Sequence, residues 1–263
     1  VTSATLLSGG RVISLKLDAV ASGSVTVAVN GIRDTSGNAV MAGSQVVVTI
    51  PASGAEVLFF DFGASSPAME AADDPVNAWN NITPAVGSSD TGVLPTLVTA
   101  SNQATTAGFQ MIKRFNGANT NGTTASTVFP ADATSDSLFG NTELFSSLTN
   151  IFPSFKLTGL APGQGYDFTF FASRTGVSDN RETRYTVAGT NTVIAHLQVA
   201  GNINGVVEAR AVRPTAGGEI TISLAPGSNN NNANHFTYLG AMKITPAPPL
   251  DLLPPQLVNG RIQ

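Results

Sequence analysis

The sequence predicts an all-β protein dominated by a jelly-roll β-sandwich, and three observations carry that reading. Only 11% of the 263 residues are charged, against about 25% in an average globular chain, and polarity comes instead from Thr, Ser, Asn and Gly. Short runs alternate bulky apolar residues with small or polar ones, the period of a strand with one buried and one wet face. Between these runs lie turn formers and long loops. About nine such runs over roughly 190 residues, with the long loops at one end, indicate a jelly roll. A smaller β domain precedes it.

Residues 1–53 hold the first strand-like runs. Ile13, Leu15 and Leu17 share one face of Arg11–Leu17, and Val25, Val27 and Val29 share one face of Ser24–Val29. Gln45–Ile50 is a third run and Ser3–Leu7 a weaker one. Gly31-Ile-Arg-Asp34-Thr-Ser-Gly37-Asn38 is a turn with Asp, Gly and Asn where positive φ is required. A complete immunoglobulin-type sandwich needs about seven strands over ~100 residues, and roughly four are present. Four strands cannot cover their own apolar face, so another segment must do so.

Pro51–Gly54 reads as a linker, and a second domain extends over residues 54–246. Val57–Phe62 (VLFFDF) is too apolar for a strand with a wet face and is expected to be buried on both. Residues 64–107 read mostly as loop. Strands are expected at Gly108–Phe115, Phe152–Leu157, Gly165–Ser173, Thr183–Val187, Thr192–Val199, Val206–Val212, Glu219–Leu224 and Phe236–Ile244, and a short helix at Asn141–Asn150. Leu160-Ala-Pro162 followed by Tyr166 has the spacing of a tyrosine corner, in which a Tyr hydroxyl bonds back to the preceding loop. Tyr185 alternates with Thr183 and Val187 and is expected to point inward. Residues 247–263 form a Pro-rich linker ending in a strand-like stretch with Leu257, Val258 and Ile262.

The bulk numbers exclude several classes. A net charge of -4 with no Lys/Arg cluster argues against nucleic acid or an anionic membrane as partner. The absence of Cys excludes a disulfide framework and thiolate metal sites but leaves secretion open. No run of about 18 apolar residues is present to span a membrane. A start at Val1 without Met or a signal peptide reads as a mature protein or a piece of a longer one.

Candidate chemistry is sparse. His196 and His235 are the only histidines, there is no Gly-x-Ser-x-Gly elbow, and the local acid pairs Asp73/Asp74 and Asp132/Asp136 sit among turn formers. The expectation is a protein that is not an enzyme, with His196 structural. No cofactor is expected beyond a structural calcium ion, for which the loop acids Asp61, Asp73, Asp74 and Asp90 could supply ligands. Capping and turn roles are the stronger reading of those acids. A carbohydrate site needs an aromatic platform and a fan of hydrogen-bonding groups. Trp79 beside Asn80 and Asn81, the arginines Arg174, Arg181 and Arg184, and His235 after the polar loop Asn229–Asn234 are the candidates. The competing reading has Trp79 plugging the end of the sandwich and the arginines pairing with Glu182 and Asp179.

Two resemblances add to this. The turn at 31–38 resembles the second half of a bacterial Ig-like domain, and Pro254-Pro-Gln-Leu-Val258 resembles the phrase that opens such a domain in tandem proteins. Residues 56–246 resemble a noncatalytic module of secreted bacterial proteins, of the galactose-binding-like or carbohydrate-binding-module type. The matching phrases are residues 57–63, 79–82, 129–136, 157–174, 181–189 and 238–244. With the split Ig-like domain, the first implication is an extracellular, cell-surface structural subunit of a filament or adhesin-like protein, one repeat of a tandem chain or a subunit assembled head-to-tail by strand complementation. Leu257, Val258 and Ile262 would be its assembly strand, and copies of the same chain its partners. The alternative is a carbohydrate-binding module of a secreted polysaccharide-degrading enzyme.

Overall fold

The computed structural model describes residues 57–248 in full and, outside them, only the backbone of six short strands. Its contacts divide the chain into two units, Val1–Gly54 and Ala55–Gln263. In the first unit β1 (Ser3–Leu6) pairs antiparallel with β2 (Ile13–Lys16), and β3 (Gly23–Val29) with β4 (Ser44–Ile50). The turn expected at 31–38 and the Pro-rich segment 249–256 lie outside the described residues, and with them the basis of the Ig-like and head-to-tail expectations. In the second unit, β19 (Leu257–Val258) pairs with β20 (Arg261–Ile262), Leu257 opposite Ile262.

The rest of the second unit is a jelly-roll sandwich. One sheet has six strands in the order β14 (Thr192–Gln198), β13 (Glu182–Ala188), β16 (Ile220–Pro226), β11 (Ser154–Thr158), β8 (Gly108–Lys113) and β7 (Val93–Leu94). The other has five, in the order β15 (Val207–Val212), β12 (Tyr166–Phe171), β18 (Ala241–Pro246), β5 (Leu58–Asp61) and β6 (Trp79–Asn81). Its first and last strands, β5 and β18, lie side by side antiparallel, and β6 is added parallel to β5 as an edge. A third sheet of β17 (Thr237–Leu239), β10 (Ser137–Gly140) and β9 (Gly117–Asn119) closes one side. Two single-turn helices, α1 (Pro84–Gly87) and α2 (Ala131–Thr134), punctuate the loops.

Period-two alternation builds the core. Phe168 and Phe170 of β12, Met242 and Ile244 of β18, and Leu58 and Phe60 of β5 face inward. They meet Phe109, Phe155, Tyr185, Val187, Ile220 and Ile222 from the six-stranded sheet. Tyr185 is fully buried, stacks on Phe170 at 4.5 Å between centroids and donates its hydroxyl to the Tyr238 carbonyl at 2.6 Å. The tyrosine corner is present, with the Ala161 N–H donating to the Tyr166 hydroxyl at 3.2 Å.

The outer face of the five-stranded sheet is not uniformly wet. Met69, Phe129, Ala133, Phe171 and Ala241 form a second apolar cluster there, with Phe59 and Trp79 packed at its margin. Loop residues and α2 thus cover one half of this face, which is why VLFFDF needs apolar residues on both sides.

The sequence misjudged two stretches. Asn141–Asn150 is not helical: it turns back through bridges Asn141–Ile151 and Phe145–Leu148, with Ser146 and Ser147 at φ 49° and 65°. The Asn141 amide donates to the carbonyls of Glu143 and Leu148, a local alternative that competes with a helix. Phe236–Ile244 is broken at Gly240 into β17 and β18, which belong to different sheets.

Candidate functional site

The uncovered half of that outer face carries a cleft of about 340 Å³. Alternation places its floor: Phe59 on β5, Lys243 on β18, Thr169 on β12 and Glu208 on β15 alternate with core residues on their strands, and Trp79 on β6 alternates with the buried Asn80. Val128, Phe129 and Pro130 form one wall, and Asp74 and Asn77 another.

Trp79 is the central residue. Its ring lies 4.9 Å from Phe59 and 6.0 Å, edge to face, from Phe129. Its indole N–H donates to Asp74 Oδ2 at 3.0 Å, fixing the ring plane. Asp74 is held in turn by the Val76 and Asn77 N–H groups and the Asn77 amide. Burial alone would raise the Asp74 carboxyl; hydrogen bonds from Trp79 and Asn77 outweigh it and hold the group below the usual carboxylate range. Across the floor, Lys243 Nζ sits 5.6 Å from the Phe59 ring centroid. Among the described residues it makes no ion pair.

The other sequence candidates do not join Trp79. Asn80 is 3% exposed, donates to the carbonyls of Phe59 and Val98 and accepts from the Val98 N–H, so it is a pin between β6 and the 98 loop and cannot reach a ligand. Asn81 donates to the Met69 carbonyl under the covered half of the face. Arg181 is buried, donates to Asp179 Oδ1 at 3.0 Å and to the Tyr238 hydroxyl, and lies over the Phe236 ring. Arg174 donates to the Thr175 carbonyl. Arg184 is exposed on the opposite outer face, where it stands across from His196 in the β13–β14 register. His235 sits at φ 47° in a turn closed by its own N–H to the Asn232 carbonyl. The hairpin loop is therefore scaffold at its core: Asn232 donates to Asp179, and Asn229 donates through backbone and side chain to Glu182.

The loop acids also separate. Asp73 accepts from the Glu70 N–H and Asp90 from the Arg114 N–H, while Asp74 holds Trp79. No cluster of three or more His, Cys, Asp or Glu suited to a metal occurs among the described residues. Phe59, Phe129 and Lys243 went unnoticed in sequence. The signal for Phe59 was present in VLFFDF, where the outward position of a doubly buried strand is aromatic. Phe129 and Lys243 are brought in from distant strands and loops, and carry no local signature.

Helices long and apolar enough to cross a membrane are absent among the described residues. No family model and no curated protein matches the sequence. Three solved structures show a distant likeness. TmCBM61 in complex with beta-1,4-galactotriose is 13% identical over 53% of this chain and 88% of its own, with a TM-score of 0.31. A plant receptor-like kinase, ANX1, is 12% identical over 78% of this chain, with a TM-score of 0.40. The ANX1 ectodomain from Arabidopsis thaliana is 10% identical over 79% of this chain, with a TM-score of 0.34. The chain spans 57% of the length of each of these two ANX1 structures. Likeness at this level says nothing about function.

Proposed function

We propose that the 57–248 sandwich is a noncatalytic carbohydrate-binding module of an extracellular protein, and that the Trp79 cleft holds the glycan. The observation that supports this reading is a half-buried indole, fixed in plane by Asp74 and flanked by Phe59, on a sheet face that is otherwise polar at its rim. Sugar rings present apolar faces and hydroxyl edges. Trp79 and Phe59 would meet the face, while Asn77, Thr169, Glu208 and Lys243 would meet the hydroxyls. Head-to-tail assembly stays an expectation of the sequence, since its segments at 1–53 and 249–263 carry no described side chains.

The test is retention on a polysaccharide panel by affinity electrophoresis. Trp79→Ala should lose retention by at least tenfold, whereas Arg184→Ala, on the opposite face, should bind as the parent does. Retention of Trp79→Ala at the parent level would refute this location.

A further inference from the structure

The floor of the Trp79 cleft is a single row running across the strands. Trp79 on β6 stands opposite Phe59 on β5, and Phe59 opposite Lys243 on β18. Lys243 in turn stands opposite Thr169 on β12, and Thr169 opposite Glu208 on β15. All five line the cleft, one from each strand of the sheet. Strands lie about 4.8 Å apart, so the row runs roughly 19 Å from end to end. That is long enough for a segment of a few linked sugars laid across the strands.

Three ionisable side chains line this cleft, Asp74, Glu208 and Lys243, and only the acids are engaged. Asp74 Oδ1 accepts from the Val76 and Asn77 N–H groups, Oδ2 accepts from the Trp79 indole, and the Asn77 amide lies against both oxygens. Glu208 Oε2 accepts from Arg210 Nε at 2.7 Å and from its Nη2, so its charge is matched at that end of the row. Lys243 makes no ion pair among the described residues, and its ammonium faces the Phe59 ring at 5.6 Å. An aromatic face attracts the charge but leaves the ammonium N–H groups to donate elsewhere. The row thus sets an indole platform beside a ring that carries an unmatched cation.

We propose, resting on the carbohydrate reading of this cleft, that it selects an acidic glycan: a sugar face lies on Trp79 and a carboxylate or sulfate ester on Lys243. A compact ammonium on a flexible stem can follow either anion above the ring. The chain as a whole works against such a ligand. Its net charge is -4, so a polyanion gains nothing from bulk attraction. A preference for acidic over neutral polymer has therefore to arise locally, and Lys243 is the cation in place to supply it.

The experiment measures retention of the full chain on resins coupled to polygalacturonate, alginate and κ-carrageenan. Each is run beside its carboxyl-reduced or desulfated counterpart, in chelator so that no metal bridges polymer and protein. The parent should be held about tenfold more tightly by one acidic polymer than by its neutral counterpart, and that ratio should fall as salt rises. The pair that shows it tells carboxylate from sulfate. Lys243→Gln should bring the ratio to about one, and Lys243→Arg should restore most of it. Arg184→Gln removes the same charge from the opposite face and should keep the parent ratio. The Lys243 side chain donates no hydrogen bond to the sandwich among the described residues, so its variants are expected to fold. Equal retention of the parent on acidic and neutral polymers overturns the acidic class and leaves the glycan site standing. A parent-level ratio in Lys243→Gln, or an equal loss of ratio in Arg184→Gln, overturns the role of Lys243. Retention on none of the polymers, acidic or neutral, overturns the carbohydrate reading and the acidic preference with it.

Discussion

The hairpin loop at 174–184 and the outer face beside Trp79 use their polar groups in opposite ways. In the loop, Arg181 serves Asp179 and Tyr238, Asn232 serves Asp179, and Asn229 serves Glu182, so the chain satisfies itself. Burial would lower the basicity of Arg181, yet the hydrogen bonds of Asp179 and Tyr238 outweigh it and raise its pKa. On the five-stranded sheet, among the described residues, Lys243 meets a ring and no acid, and Asp61 Oδ1 and Asn81 Oδ1 accept no hydrogen bond. A high density of charge in sequence marked scaffold, and the open chemistry lies where charge is sparse. Polar groups with partners in the chain have no valence left for a ligand.

The largest effect that would sharpen this contrast is on pH. Asp136 and Asp61 ionise near pH 6 and 8 in the folded chain, above the ordinary carboxylate range of the unfolded one. The folded state therefore holds more protons in that window, and stability falls as pH rises. The protein should be most stable near pH 4 and lose several kcal/mol by pH 8, measured by urea unfolding at a series of pH values. Next comes Arg181→Ala, which takes the donor from Asp179 Oδ1 and from the Tyr238 hydroxyl and leaves a void beside them. A loss of about 3 kcal/mol is expected, with glycan retention unchanged below the melting transition. Lost retention in folded Arg181→Ala would break the contrast.

Trp79→Ala acts the other way, weakening binding by at least about 1.4 kcal/mol while the sandwich keeps its fold. The smallest effect is Tyr166→Phe. It removes the hydroxyl that accepts from Ala161 at 3.2 Å, so unfolding should shift by about 1 kcal/mol with no change in retention.

How much of this was legible follows from the range of each interaction. The strands β8 and β11 through β16 announce themselves because a buried face must repeat every second residue. The strands β9 and β10 do not, being three and four residues long, too short to show a period. Trp79 was visible as the only Trp in a long loop, but its neighbour Asn80 was misassigned, because polarity in sequence cannot distinguish a ligand group from a buried pin.

The sequence by itself determined the all-β class, the tyrosine corner and the inward Tyr185, because these depend on alternation and on contacts a few residues apart. Only the tertiary structure decided which polar groups are unoccupied. Ala64 and Asp136 are 72 residues apart, and Asp61 meets Asn81 only because β6 returns parallel to β5. Burial and the absence of a donor are properties of a place in three dimensions, which sheet order creates and local pattern does not record.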